Sequence, residues 1–148
     1  GIEEFARFTR FGAAIYSSLD IVVLLDGNAQ RQRIDNVIAD GRLKKSNVLS
    51  IDQFSKVKGA DIEDLFEPEE YLAIYNKAFG KIVKLVSLKG IDRIVKRIER
   101  VEGEFDHGRV AAFFLANQHE FISTLSTETI QRFENAIVAI VKALPQVP

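Results

Sequence analysis

A chain of 148 residues, 47% hydrophobic and 28% charged, holds enough apolar material for one buried core, and this composition excludes a disordered segment as its main content. Its net charge of −1 excludes a global attraction to nucleic acid, so such binding would need a local basic patch or metal ions. The absence of cysteine excludes disulfides and thiolate metal sites and fits a cytoplasmic protein, and no run reaches the ~20 apolar residues of a membrane span.

The first residues, with Glu3, Glu4, Arg7 and Arg10, do not read as a secretory signal. A chain that starts at Gly1 and has no methionine is expected to be a piece of something longer. Phe5, Phe8, Phe11, Ile15 and Leu19 recur at three- and four-residue spacing, which predicts an amphipathic helix. That helix feeds a strand from Asp20 to Asp26. Its unbroken apolar run suits a central strand buried on both faces, with Asp26 emerging at the carboxyl edge where open α/β folds bind ligands. Gly27 permits a sharp turn there.

From Ala29 to Asp40, Ile34, Val37 and Ile38 share one helical face, and Gly41 is a left-handed stop. A second strand follows at Asn47 to Ile51, completing a βαβ unit and hence a parallel pair. Beyond Gly59 lies an acidic stretch with Asp61, Glu63 and Asp64, then a helix from Pro68 to Phe79 stopped by Gly80. The remainder reads as helical. Ile91, Ile94, Val95, Ile98 and Val101 form one apolar face, and Arg93, Lys96, Arg97 and Arg100 form the opposite, basic one. Asp106 is placed to cap a helix carrying Val110, Phe113 and Phe114, and Ser126 to cap the last, with Leu125 and Ile130 as its staple. On that last helix Phe133, Ile137, Ile140, Val141 and Leu144 read as the buried stripe. The expected architecture is a single α/β domain over 1–148, with an α/β front half (1–80), a small mostly parallel sheet and a helical back half (81–148).

Asp26 and the Asp61, Glu63, Asp64 stretch are the candidate chemistry. Magnesium takes hard oxygen ligands, usually one or two protein carboxylates with water and phosphate oxygens completing the shell. Asn28 adds a neutral carbonyl two residues after Asp26. Clustered carboxylates repel one another, so a cation between them is favoured. The same residues also have structural explanations. Asp-Gly-Asn is a common turn, and Glu69 and Glu70 complement the positive end of the Pro68 helix.

The runs Asp20-Ile-Val-Val-Leu-Leu-Asp-Gly-Asn28, Gly59-Ala-Asp-Ile-Glu-Asp-Leu-Phe66, Phe105-Asp-His-Gly-Arg-Val110 and Leu125-Ser-Thr-Glu-Thr-Ile130 together resemble the TOPRIM (topoisomerase-primase) nuclease domain of OLD-family (overcoming lysogenisation defect) ATP-dependent endonucleases, and the resemblance covers nearly the whole chain. It implies a Rossmann-like TOPRIM fold and magnesium- or manganese-dependent hydrolysis of DNA. It also implies an upstream ABC-type ATPase domain in the same protein, a capacity for homo-oligomerisation, and a role in defence against phage. By that resemblance Asp26 is the first metal aspartate, Asn28 stands where the family has a second aspartate, and Asp61, Glu63 and Asp64 match the following acidic stretch. His107 or Arg109 would stabilise charge on the scissile phosphate. The family's first catalytic glutamate would lie before Gly1, so the isolated piece is expected to be incomplete as a catalyst. Arg93, Lys96, Arg97 and Arg100 form a candidate phosphate track, with a solvated helix face as the simpler explanation. No Gly-rich Walker loop is present, so ATP hydrolysis is not expected of this chain alone. Two other classes fit the residues: a receiver-like domain phosphorylated on Asp26, and a non-catalytic assembly module using the helical half.

Overall fold

The computed structural model describes residues 21–26 and 31–144. The Phe5 to Leu19 helix, Asp20, Gly27 and Asn28 lie outside the described residues. Two short strands, β1 (Val23–Leu25) and β2 (Val48–Ser50), pair in parallel with Val23 opposite Val48 and Leu25 opposite Ser50. Helix α1 (Arg31–Ala39) lies between them in sequence, as the βαβ reading expected. Its buried Ile34 and Val37 pack with Leu25 and Leu43 into a small core under the sheet. Gly41 takes a left-handed φ of 69° just past α1, a conformation with a steric cost for a residue bearing Cβ. Asn47 donates from Nδ2 to the carbonyl of Ile21 at 3.1 Å, tying the start of one strand to the approach of the other.

Helix α2 (Pro68–Phe79) begins at its proline and ends at Gly80, where φ is 63°. Both ends agree with the sequence pattern. Then come α3 (Ile94–Glu102), α4 (His107–Ala116), the short α5 (Gln118–Ile122) and α6 (Thr127–Ala143). The main core joins Tyr71, Leu72, Ile74 and Tyr75 of α2 to Ile94, Val95 and Ile98 of α3, Val110 of α4 and Phe121 of α5. Asp106 caps α4 by accepting from Gly108 N at 2.9 Å, and Ser126 caps α6 by accepting from Thr129 N at 3.2 Å. None of the helices among the described residues is long and apolar enough to cross a membrane.

Two expectations need correction. Ile91 and Val101 do not join the buried face of α3, whose helix starts only at Ile94; Ile91 is 96% exposed. On α6 the buried residues are Thr129 and Ala136, while Ile137, Val141 and Leu144 are partly exposed. The cause is local. Glu70 at the start of α2 accepts hydrogen bonds from the Thr129 hydroxyl and from Ser126 N, and Thr129 Oγ1 in turn accepts from Glu67 N at 3.0 Å. This polar lock, joined by the Arg132–Glu67 pair, turns the Thr129 side of α6 inward.

Burial pushes the Glu70 carboxyl up, but the bonds from Thr129, Ser126 and Glu67 outweigh it and leave its pKa lowered. Stability from this group is therefore present above the unfolded-state glutamate value and is lost as pH falls through the lowered native one. Glu70→Ala is expected to cost about 1–3 kcal/mol at pH 7, from the donors it strands. Urea unfolding of both proteins from pH 7 to pH 3 should show the difference between them shrinking in acid; a pH-independent difference would refute this account.

Candidate functional site

Asp26 leaves β1 at its carboxyl end, and its Oδ1 accepts a hydrogen bond of 2.7 Å from Ile62 N, 36 residues further on. Ile62 opens a single 3-10 turn, Ile62–Leu65, whose first amide has no partner inside the turn. The strand end and the acidic stretch are thus stitched together directly. The carboxylates of Asp26, Asp61, Glu63 and Asp64 lie close enough to act on one another's charge.

Each of the four has a distinct environment. Asp64 is buried and accepts from Asp61 N at 2.9 Å and from Ile94 N at 2.8 Å, holding the acidic turn against the first amide of α3. Asp64 thus takes one backbone donor on each oxygen and fixes the position of the turn. Asp61 carries the Arg93 guanidinium, with Nη1 at 2.7 Å from Oδ1 and 2.5 Å from Oδ2. Glu63, with its side chain 16% exposed, sits 3.7 Å from His107 Nδ1, while His107 Nε2 lies 3.5 Å from Glu99 Oε1. Asp26 is at the surface, and among the described residues its Oδ2 accepts no hydrogen bond.

Burial raises the pKa of Asp26, opposed by the Ile62 N–H and by Arg93 and reinforced by the charges of Asp61 and Asp64. Burial likewise raises Glu63, with Asp26 and Asp61 adding to the rise and His107 working against it. Asp64 is also raised by burial, in spite of its two backbone donors. Anionic carboxylates here are therefore less favourable than in water, and a cation placed among them is favoured. Tyr71 adds a hydroxyl that is buried without a hydrogen-bond partner among the described residues, and burial, then the charges of Glu63 and Asp64, raise its pKa.

The donor set suits magnesium bound by one or two carboxylates, with Asp26, held by Ile62 N on Oδ1 alone, and Glu63, which pairs with no arginine among the described residues, as the two more open candidates. Among the described residues no three His, Asp or Glu side chains converge as a ready-made metal cage. Water and phosphate oxygens would have to complete the coordination. Asn28 lies outside the described residues.

The basic residues behave differently from the sequence reading. Arg93 is spent on Asp61. Lys96 pairs with Glu99 at 2.6 Å, Arg97 donates to the Leu88 carbonyl at 2.8 Å, and Arg100 donates to the Lys89 carbonyl at 3.2 Å and pairs with Asp92. Arg97 and Arg100 thereby tie the irregular 80–93 connection to α3, whereas Lys96 pairs within its own helix and Arg93 reaches back to the acidic turn. Arg109 is also drawn elsewhere. Its Nε donates to the Ala78 carbonyl at 3.1 Å and its guanidinium stacks 4.5 Å from the Phe79 ring centre, so it caps the end of α2 and does not serve the carboxylates. His107 is the basic residue of that segment that reaches the site.

Glu99 and the inward role of Arg93 went unread in the sequence. For Glu99 a signal was present, since it interrupts an otherwise basic helix face; the pairing of Arg93 with Asp61, 32 residues earlier, leaves no local trace. No family model matches this chain, and no curated protein or solved structure matches it either.

Proposed function

We propose that this chain is a metal-dependent nuclease domain of the TOPRIM type, belonging to an OLD-like ATP-dependent endonuclease and hydrolysing DNA phosphodiester bonds with Mg²⁺ or Mn²⁺. The observation that carries the reading is the Asp26 Oδ1 to Ile62 N bond, which brings a strand-end carboxylate and an acidic turn to one sheet edge. Ligand sites of open α/β sheets lie at that edge.

In this reading Asp26 and Glu63 would hold the ion. A bound divalent ion supplies charge neutralisation and an activated water. The protein groups do the rest. Asp64 fixes the turn that carries Glu63, and Arg93 offsets the charge of Asp61. His107, held between Glu63 and Glu99, is placed to hold a proton at either ring nitrogen beside the reacting phosphate. ATP chemistry would come from an upstream ABC-type ATPase domain of the same protein.

Supercoiled plasmid is the direct test, incubated with the protein carrying this domain in Mn²⁺ or in chelator. Nicking or linearisation in Mn²⁺ only, lost by Glu63→Gln by at least roughly 100-fold, supports the proposal. Cleavage that persists in chelator, or that Glu63→Gln leaves intact, contradicts it.

A further inference from the structure

The carboxylates of Asp26, Asp61, Glu63 and Asp64 repel a phosphate backbone until cations offset them. Arg93, Arg97 and Arg100 are engaged with Asp61, the Leu88 carbonyl and Asp92. The connection from β2 into the acidic turn carries two further cations. Lys56 and Lys58 are both exposed, and neither has an ion-pair partner among the described residues.

Their setting is held in place. Ile51 and Ala60, at the two ends of the connection, are fully buried and cluster with Leu65, and Leu24, Phe54 and Val57 pack against them. With Val57 packed inward, the lysines on either side of it face solvent. The Ser55 hydroxyl donates to the Asp64 carbonyl at 3.0 Å and accepts from Val57 N at 3.1 Å, while Asp52 Oδ1 accepts from Ala60 N at 2.6 Å. Gly59, at a left-handed φ of 68°, turns the chain between Lys58 and the buried Ala60. The two lysines therefore stand on backbone that is bonded to the acidic turn itself. Lys58 precedes Asp61 by at most ~11 Å of chain, or about three steps along one DNA strand.

We infer that Lys56 and Lys58 are contacts to DNA phosphates that seat the strand over the carboxylates. The inference rests on the nuclease reading and deepens it, naming how that site holds a polyanion although the chain's net charge is −1. Contacts to backbone phosphates set affinity and register without reading sequence, and a compact ammonium on a flexible stem suits them. Placement distinguishes this pair from other exposed lysines. Lys44 and Lys45 precede β2 and so lie at the amino edge of the sheet, whereas Lys56 and Lys58 follow it, at the carboxyl edge shared with Asp26.

The test titrates the protein carrying this domain onto a fluorescent DNA duplex with Ca²⁺ in place of Mn²⁺, reading anisotropy from about 50 to 200 mM salt. Lys56→Ala/Lys58→Ala should weaken binding roughly 10-fold at the low-salt end and flatten the slope of log K against log salt by about 2. In Mn²⁺ the same variant should raise KM for plasmid cleavage while kcat stays within about 2-fold of the parent. Lys56→Arg/Lys58→Arg should restore the slope, and Lys44→Ala/Lys45→Ala should behave as the parent. Parental affinity and slope in Lys56→Ala/Lys58→Ala, in a protein that still cleaves with metal, overturn the inference and leave the nuclease reading standing. So do equal losses in Lys44→Ala/Lys45→Ala, or a fall in kcat at unchanged KM. A parent that neither binds the duplex nor cuts plasmid overturns both.

Discussion

Asp26→Asn is expected to reduce DNA cleavage by at least roughly 100-fold and weaken Mn²⁺ binding, while leaving the protein as stable as before or more so. The substitution is close to isosteric and keeps an oxygen for the Ile62 N–H, so the link between strand end and acidic turn survives. What it removes is the charge. Burial and the neighbouring carboxylates already raise the Asp26 pKa, which means the ionised form is held at a cost in the folded state. A residue kept solely for structure should show the reverse, a loss of stability with activity retained. Urea unfolding and plasmid cleavage on the same preparations separate the two outcomes, and a destabilised but active Asp26→Asn protein would contradict the assigned role.

Asp64→Ala should be the most damaging single change to stability in the site, at about 2–4 kcal/mol. It deletes the acceptor for two backbone amides, Asp61 N and Ile94 N, in a place where Asp64 itself is only 6% exposed and water is poorly placed to replace it. The raised pKa of Asp64 does not conflict with this. A raised value says that the protonated form gains on the ionised one, and even the protonated carboxyl keeps an oxygen to accept with. Asp64→Asn should cost less than alanine but more than Asp26→Asn, because one amide hydrogen of the new side chain must then face a backbone donor. Denaturant midpoints for the three variants give that order or refute it. An alanine variant as stable as the parent would remove the structural role assigned to Asp64.

Periodicity made much of this fold readable. Pro68 and Gly80 bracket α2 where their backbone preferences place them, and Ser126 and Asp106 cap the helices they precede. The α6 stripe shows where pattern fails. Thr129 reads as polar, yet it is fully buried because Glu70 and Glu67, some sixty residues earlier, bond to it. No local periodicity carries that information. The meeting of Asp26 with the 61–64 stretch was legible, since a parallel βαβ unit puts both at the same sheet edge. Which carboxylates remain available was not. That depends on Arg93 folding back onto Asp61 and on α3 starting at Ile94 so that its first amide seeks Asp64. Arg109 illustrates the same limit, since a basic residue near a helix start serves a phosphate or a neighbouring carbonyl according to where the previous helix ends.

Titration of isotopically labelled protein with Mn²⁺, followed through paramagnetic broadening of backbone amide signals, tests the central claim most directly because it detects the ion whether or not catalysis occurs. Selective broadening at Asp26 and at Asp61 to Asp64, abolished by Asp26→Asn and competed by Mg²⁺, is the predicted result. Broadening spread evenly over the acidic surface, or unchanged in Asp26→Asn, would mean that the joined carboxylates serve the fold alone.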